Sequence, residues 1–234
     1  SAYNVLEVAA SLAQTSNSSA PEITNAIVED ALQKRTLIYD KSGEEHYNLI
    51  SALHKSVRNS DPDAALYWLA RMLAGGEDPR YIARRLVRFA VEDIGLADPD
   101  ALPQSIAAWE AYERLGSPEG ELAIAQCVVY LGTAPKSNAA YRAFSAARSA
   151  AEETGSLMPP KHILNAPTRL MKQLGYSKGY EYDHDAPEAF SGQNYFPDGM
   201  ARQEFYRPVE RGFEREIRKR LDYWSKLRAE RPKT

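Results

Sequence analysis

At 234 residues the chain is long enough to bury a substantial core without help from metals or disulfides. A composition that is 44% hydrophobic and 26% charged places it among soluble globular proteins and excludes the disordered and membrane-embedded classes. The formal net charge of -3 gives no global pull toward nucleic acid, so a phosphate contact has to come from a local basic patch.

The chain opens on Ser1-Ala2-Tyr3-Asn4-Val5-Leu6, helix-like sequence without a methionine, and reads as a fragment. Val5, Val8, Ala9 and Leu12 recur at helical spacing, and Thr15 to Ser19 with Pro21 break the pattern. Thr24 is placed to cap a second helix running toward Arg35, with Ile23 and Val28 as a hydrophobic staple. Tyr39-Asp40-Lys41-Ser42-Gly43 reads as a turn. From Glu44 the spacing of Leu49, Ile50, Leu53, His54 and Val57 predicts a helix that stops at Asn59-Ser60.

Asp61-Pro62 and Asp78-Pro79 then use one device twice. An acidic cap precedes a proline at the first helical position, where its missing N–H costs nothing. Leu66, Leu69, Ala70 and Leu73 are the expected buried stripe of the first of these helices, and Ile82, Leu86, Phe89 and Ala90 that of the second. Gly75-Gly76 separates the two as a tight hairpin. Asp98-Pro99 leads into a helix through Ile106, Trp109 and Tyr112, and Gly116-Ser117-Pro118 predicts the next one, starting at Ser117. Ala123 to Leu131 and Ala139 to Glu153 are Ala-rich helices whose small side chains allow close approach. After Gly155 the chain becomes Pro-, Gly- and Tyr-rich, interrupted by one helical piece near Ala166 to Leu174. The aromatic residues Tyr180, Tyr182, Phe190, Tyr195, Phe196, Phe205 and Tyr206 predict that these loops pack instead of waving in solvent. A last amphipathic helix carries Phe213, Ile217, Leu221, Trp224 and Leu227. Its mild excess of Lys and Arg reads as a solvated face. No segment alternates long enough for a sheet.

The motifs that are missing narrow the function. There is no G-x-x-x-x-G-K-[ST] phosphate loop, no G-x-G-x-x-G, no H-E-x-x-H and no C-x-x-C, so autonomous nucleotide hydrolysis is not expected. Cys127 sits in the apolar run Cys127-Val128-Val129-Tyr130-Leu131 and reads as a small core residue. Asp183-His184-Asp185 has metal-ligating side chains, but three adjacent residues do not converge in most backbones, and pinning of the loop by hydrogen bonds is the preferred reading. His46, His54 and His162 are scattered without ligand spacing or an accompanying nucleophile. Glu92-Asp93 reads as an ion-pairing site, and Asp61 with Asp63 as helix-terminal charge. No run of about 18 apolar residues and no charged-then-apolar leader is present, which predicts no membrane contact and a cytoplasmic location.

Arg80, Arg84 and Arg88 are spaced by four and share a helix face, with Arg85 beside them. Such a ridge can hold carboxylates of a neighbouring subunit or phosphates. Subunit or intramolecular ion pairs are the first reading and nucleic acid the second. Lys55, Arg58, Lys136 and Lys172 are further isolated candidates for interface or DNA contact, and Lys161 and Arg169 are additional isolated cations.

Several strings are more specific than any generic motif. Tyr39 to Tyr47, Ile50-Ser51-Ala52-Leu53-His54-Lys55-Ser56-Val57-Arg58 and Ser60-Asp61-Pro62-Asp63-Ala64-Ala65-Leu66-Tyr67-Trp68-Leu69-Ala70-Arg71-Met72-Leu73 come first. Gly76 to Pro79, Ile82 to Arg88, Glu92-Asp93-Ile94-Gly95-Leu96-Ala97-Asp98-Pro99, Ala134-Pro135-Lys136-Ser137-Asn138, Asn165 to Thr168 and Leu170-Met171-Lys172 before Gly175-Tyr176 continue them. Together they resemble the MgsA/RarA family of AAA+ ATPases, relatives of the eukaryotic Werner-helicase-interacting ATPase, over essentially the whole chain from Tyr3. Asn59, where glycine is expected, and Glu45 are local departures that leave the resemblance intact.

The resemblance implies an all-α fold: a helical lid remnant in residues 1–60, then a clamp-loader-collar-like oligomerisation domain in residues 61–234 with a loop-rich C-terminal segment. It implies a homotetramer that acts in DNA replication, recombination and repair at stalled forks, in company with single-stranded DNA-binding protein, in the bacterial cytoplasm at the nucleoid. Walker A, Walker B, the arginine finger, ATP and Mg would belong to an upstream module, and the lid's sensor arginine would also precede Asn4. This chain would then have no cofactor and no enzyme activity of its own. The alternative is a nucleic-acid-binding module that contacts single-stranded or forked DNA through the Arg/Lys patch.

Overall fold

The structure, a computed structural model, describes residues 9, 10, 13, 23–29 and 44–231. The turn expected at 39–43, most of the helix expected from Tyr3 to Leu12 and the run beyond residue 29 toward Arg35 lie outside the described residues. Residues 25–29 are helical and Thr24 stands at the cap, its Oγ1 accepting from Ile27 N at 3.4 Å. Every regular element among the described residues is helical and none is a strand, as the periodicity predicts.

The chain divides by packing into two compact units, Ser1–Val91 with Asp100–Ala134, and Glu92–Pro99 with Pro135–Thr234. The first contains α1 (Glu44–Arg58), α2 (Pro62–Ala74), α3 (Pro79–Phe89), α4 (Ala101–Leu115) and α5 (Glu121–Thr133). Helix α1 packs on α2, α2 on α5, α3 on α4 and α4 on α5. Both acid-proline starts form as the residues dictate: Asp61 Oδ1 accepts from Ala64 N at 3.0 Å, and Asp78 Oδ1 from Arg80 N at 2.9 Å. The core is built from Leu53, Val57, Leu69, Met72, Ile82, Leu86, Phe89, Ile124, Val128 and Leu131. Cys127 is buried among them, its Sγ 3.6 Å from Ser105 Oγ, and burial pushes the thiol up to about 11. It is therefore a core residue and not a nucleophile at neutral pH.

Two local readings need correction, the buried stripe of α2 and the start of α5. The buried stripe of α2 is Ala65, Leu69 and Met72, with Leu66 and Leu73 half-buried and Ala70 exposed. Contacts with α1 on one side and α5 on the other turn the helix by about one position from the stripe read off the sequence. Residues 90–97 form a π-helical turn (Ala90–Ile94) and a 3-10 turn (Gly95–Ala97), and the helix expected after Asp98-Pro99, α4, begins at Ala101 with Asp100 at its cap position. Helix α5 begins at Glu121, not at Ser117. The turn before it is closed by Gly120 N on Gly116 O at 2.6 Å, and the Ser117 hydroxyl lies 3.3 Å from Tyr112 Oη instead of over the helix amides. Only glycine fits at 120, since a Cβ there would come within 2.7 Å of Gly116 O.

The second unit carries α6 (Ala139–Thr154), the short α7 (Arg169–Gln173) and α8 (Glu214–Glu230). Thr168 caps α7 through Met171 N at 3.2 Å. The expected loop-rich segment lies between α6 and α8. Of its aromatic residues, Phe190, Phe196, Phe205 and Tyr206 are half-buried, while Tyr180, Tyr182 and Tyr195 remain exposed. On α8, Ile217, Trp224 and Leu227 are half-buried and Leu221 is exposed.

Removing the α2 cap with Asp61→Ala is expected to lower stability by about 1 kcal/mol, and Phe89→Ala by about 3–5 kcal/mol. Urea unfolding followed by circular dichroism measures both.

Candidate functional site

Helix α3 sends its two faces to different tasks. Ile82, Leu86 and Phe89, at i, i+4 and i+7, point into the core, so Arg80, Arg84 and Arg88 are forced onto the exposed side. They do not form a uniform free ridge. Arg80 is fastened to α4, with Nε donating to Glu113 Oε1 at 2.8 Å and Nη2 to Oε2 at 3.4 Å. Trp109 Nε1 donates to the same carboxylate at 3.1 Å. Arg80 is correspondingly raised in pKa by Glu113, and Glu113 is lowered by Arg80 and then by Trp109. Arg84 lies with its Cζ 5.3 Å from the centroid of Tyr81.

Arg85, the residue between them, is half-buried and lines a cleft of about 280 Å³ together with Lys55 and Arg58 of α1. Tyr47, Ser51, His54 and Tyr81 complete the polar wall. Arg85 Nε is buried there with no hydrogen-bond partner. Arg58 Cζ is 6.0 Å from the Phe89 ring, and His54 sits edge-on to the same ring at 5.6 Å. Burial raises the Tyr81 phenol, while Arg85 and Arg84 draw it down. Three cations with phenol, hydroxyl and imidazole groups around one cleft suit an anion. Sequence spacing alone placed Lys55, Arg58 and Arg85 on two different helices. Packing brings these three together, while Arg80, Arg84 and Arg88 lie on the exposed side of α3. Lys136 and Lys172 belong to the second unit. Lys136 is half-buried, its pKa lowered by burial against the opposing charge of Asp93, and Lys172 is exposed on α7.

The histidines separate in the same way. His46 Nδ1 is 2.6 Å from Glu77 Oε2, and Glu77 Oε1 accepts from Asp78 N at 2.9 Å, so this pair braces the start of α3. His162 stands near the Tyr195 ring. In the Asp183-His184-Asp185 run, Asp183 Oδ1 accepts from Ser191 N at 2.8 Å and Ser191 Oγ at 2.7 Å, and Oδ2 from Tyr195 Oη at 3.2 Å. Its carboxylate pins the loop, as expected.

Sequence reasoning missed the polar centre of the second unit. Glu214 is fully buried at the first position of α8. Its Oε2 accepts from Ser137 Oγ at 2.8 Å and Val209 N at 2.7 Å, and its Oε1 from Tyr206 Oη at 3.0 Å. Burial and the neighbouring carboxylate both raise the Tyr206 phenol. Backbone bonds tie the same place together: Ser137 N to Asp93 O at 2.8 Å and Phe213 N to Ala97 O at 2.8 Å. Gly212, at φ +51, lies so close to Ala97 O that any Cβ would overlap it. Nothing in the pattern of an amphipathic helix marks Glu214, because its partners come from positions 137, 206 and 209.

Around this centre the apolar residues are poorly covered. Among the described residues of the second unit the buried apolar residues are Ile94, Ala97, Ala139, Pro160 and Pro208. Helix α6 buries only Ala139 and leaves Tyr141 49% and Phe144 73% exposed. Leu157, Met158, Leu170 and Leu174 are also exposed.

Hydrogen bonds from Ser191 and Tyr195 hold the Asp183 carboxyl below its ordinary 3.8. A depressed folded pKa contributes stability that is complete above the unfolded value and lost as pH falls through the folded one. The loop around Ser191 is therefore expected to loosen only below about pH 4, and Asp183→Asn is expected to loosen it at neutral pH as well. Amide exchange at Ser191 reads both.

Residues 59–225 match the family model described as MgsA AAA+ ATPase C terminal, and residues 1–58 that of the AAA C-terminal domain. The chain is 51% identical over 225 residues to the replication-associated recombination protein A of Coxiella burnetii, covering 96% of this chain and 51% of that protein. It is 47% identical over 221 residues to the protein of the same name from Escherichia coli K12, covering 94% and 49%. It is also 46% identical over 189 residues to the ATPase WRNIP1 of Dictyostelium discoideum, covering 79% of this chain and 21% of that protein. The chain spans about half the length of these two bacterial relatives. With the family model covering most of its length and the sequence strings agreeing with it, this chain belongs to the MgsA/RarA family of AAA+ ATPases, whose C-terminal helical region it represents.

Proposed function

We propose that this chain is the self-association part of an AAA+ ATPase, building a homotetramer that holds several ATPase modules together at stalled replication forks. The observation that carries the reading is α6, a 16-residue helix that presents Tyr141 and Phe144 to solvent in a unit with few buried apolar residues. We read these two aromatic residues as part of an association surface, for which a second copy is the simplest cover. The number four, the work in DNA replication, recombination and repair, the company of single-stranded DNA-binding protein and the nucleoid location rest on the family resemblance. The relatives' names support the setting. The same resemblance places ATP and Mg in an upstream module. This chain itself carries no glycine-rich phosphate loop.

Size-exclusion chromatography with light scattering tests the assembly. The expected mass is about four times the 26.1 kDa of the chain, reduced to smaller species by Phe144→Glu. A monomer at every micromolar concentration overturns the reading.

A second reading is favoured by the cleft of Lys55, Arg58 and Arg85, where the unpartnered Arg85 Nε is suited to a phosphate oxygen. Binding to single-stranded or forked DNA is then expected to weaken with salt, and Arg85→Ala is expected to weaken it further and flatten the salt slope by about one unit. Arg80→Ala, which removes a cation already paired with Glu113, is expected to leave the slope unchanged. Fluorescence anisotropy of labelled oligonucleotides across a salt series reads all three.

A further inference from the structure

Arg202, in the loop before α8, and Arg228, on α8, stand together in the second unit and line the same two clefts, of about 290 and 630 Å³. Like charges repel, and each is expected to seek a carboxylate. Neither has a hydrogen bond or ion pair with another described residue. Arg228 is half-buried, its guanidinium lies 4.8 Å from the Phe190 centroid, and its Nε is buried with no partner. Arg202 lies over Phe196 at 5.8 Å. Burial lowers the Arg228 pKa, and the charge of Arg202 lowers it further. The protein alone thus leaves a cation pair uncompensated.

The neighbouring cations and acids are already committed. Arg231 donates to the carbonyls of Ser191 and Pro187, Arg218 pairs with Glu210, Arg207 with Glu204 and Lys219 with Glu216. Asp183, at the edge of the smaller cleft, is occupied by Ser191 and Tyr195. Arg202 and Arg228 therefore share two clefts with aromatic walls, and the carboxylates that line those clefts, Asp183 and Glu204, are held by Ser191 and Tyr195 and by Arg207. A nucleic-acid strand presents a phosphate at every nucleotide and calls for a row of cations. A peptide with an isolated carboxylate calls for one fork-shaped receptor and an apolar seat beside it.

We propose that Arg202 and Arg228 bind a side-chain carboxylate of an acidic peptide segment, whose adjacent apolar residue enters the larger cleft between Phe190, Tyr206, Leu221 and Trp224. The carboxylate restores the missing counter-charge and gives the buried Arg228 Nε its acceptor. The apolar residue covers the half-buried Trp224 and the exposed Leu221.

Titration of the whole chain with the blocked tetrapeptide acetyl-Leu-Glu-Phe-Glu-amide, followed by NMR of the arginine Nε–Hε and tryptophan indole signals, tests this. The expected result is saturable movement of the Arg202, Arg228 and Trp224 signals, at least tenfold weaker with Arg202→Glu and absent for the analogue in which glutamine replaces glutamate. Arg202 is exposed, so its substitution leaves the fold intact. Arg228→Lys, which keeps the charge but loses the fork, is expected to bind at an intermediate level. Equal binding of the glutamine analogue, no movement of these signals, indifference to Arg202→Glu, or tighter binding of a short oligothymidylate at the same signals each overturns the proposal.

Discussion

The second half of the chain is organised by a buried carboxylate. Glu214 is fully buried and holds three donors, from Ser137, Tyr206 and Val209. A carboxylate taken out of water is costly unless its lone pairs are filled. Here hydroxyl and amide donors fill them, with a helix N-terminus supplying a favourable field. Segments from residues 92–99, 135–138 and 206–214 therefore have to meet at one place, and Gly212 permits the approach by lacking a Cβ that would overlap Ala97.

A centre of this kind specifies geometry more than it buries apolar area. The hydrophobic effect scales with the surface removed from water, and among the described residues of this unit the buried apolar ones are few, Ile94, Ala97, Ala139, Pro160 and Pro208, with aromatic residues such as Phe190 and Trp224 only half-buried. The exposed Phe144, Met158 and Leu170 are the counterpart of that economy. The same architecture accounts for the aromatic–arginine stacks along α8, where guanidinium planes cover Phe190 in place of aliphatic neighbours.

The first unit works the other way. Repeated acid-proline starts and glycine stops set short helices whose apolar stripes meet in a conventional core. Because Ile82, Leu86 and Phe89 must face inward, the arginines of α3 are displaced to its other sides. There they divide between a pair with Glu113, a stack on Tyr81 and a shared cleft with Lys55 and Arg58. One helix thus serves as both core element and cation carrier.

Helical periodicity, the Asp61 and Asp78 caps, the core placement of Cys127 and the pinning role of Asp183 were legible in the sequence, because each depends on residues a few positions apart. The family was legible for the same reason, since its strings are local. The late start of α5 follows from the close turn between Gly116 and Gly120, a local feature that the cap-plus-proline reading passed over. The rotation of α2, the Glu214 centre and the gathering of Arg85 with Lys55 and Arg58 were decided only by tertiary structure. Each rests on groups tens of residues apart, whose meeting is set by which faces pack and which buried polar atoms find donors, and neither leaves a periodic trace along the chain.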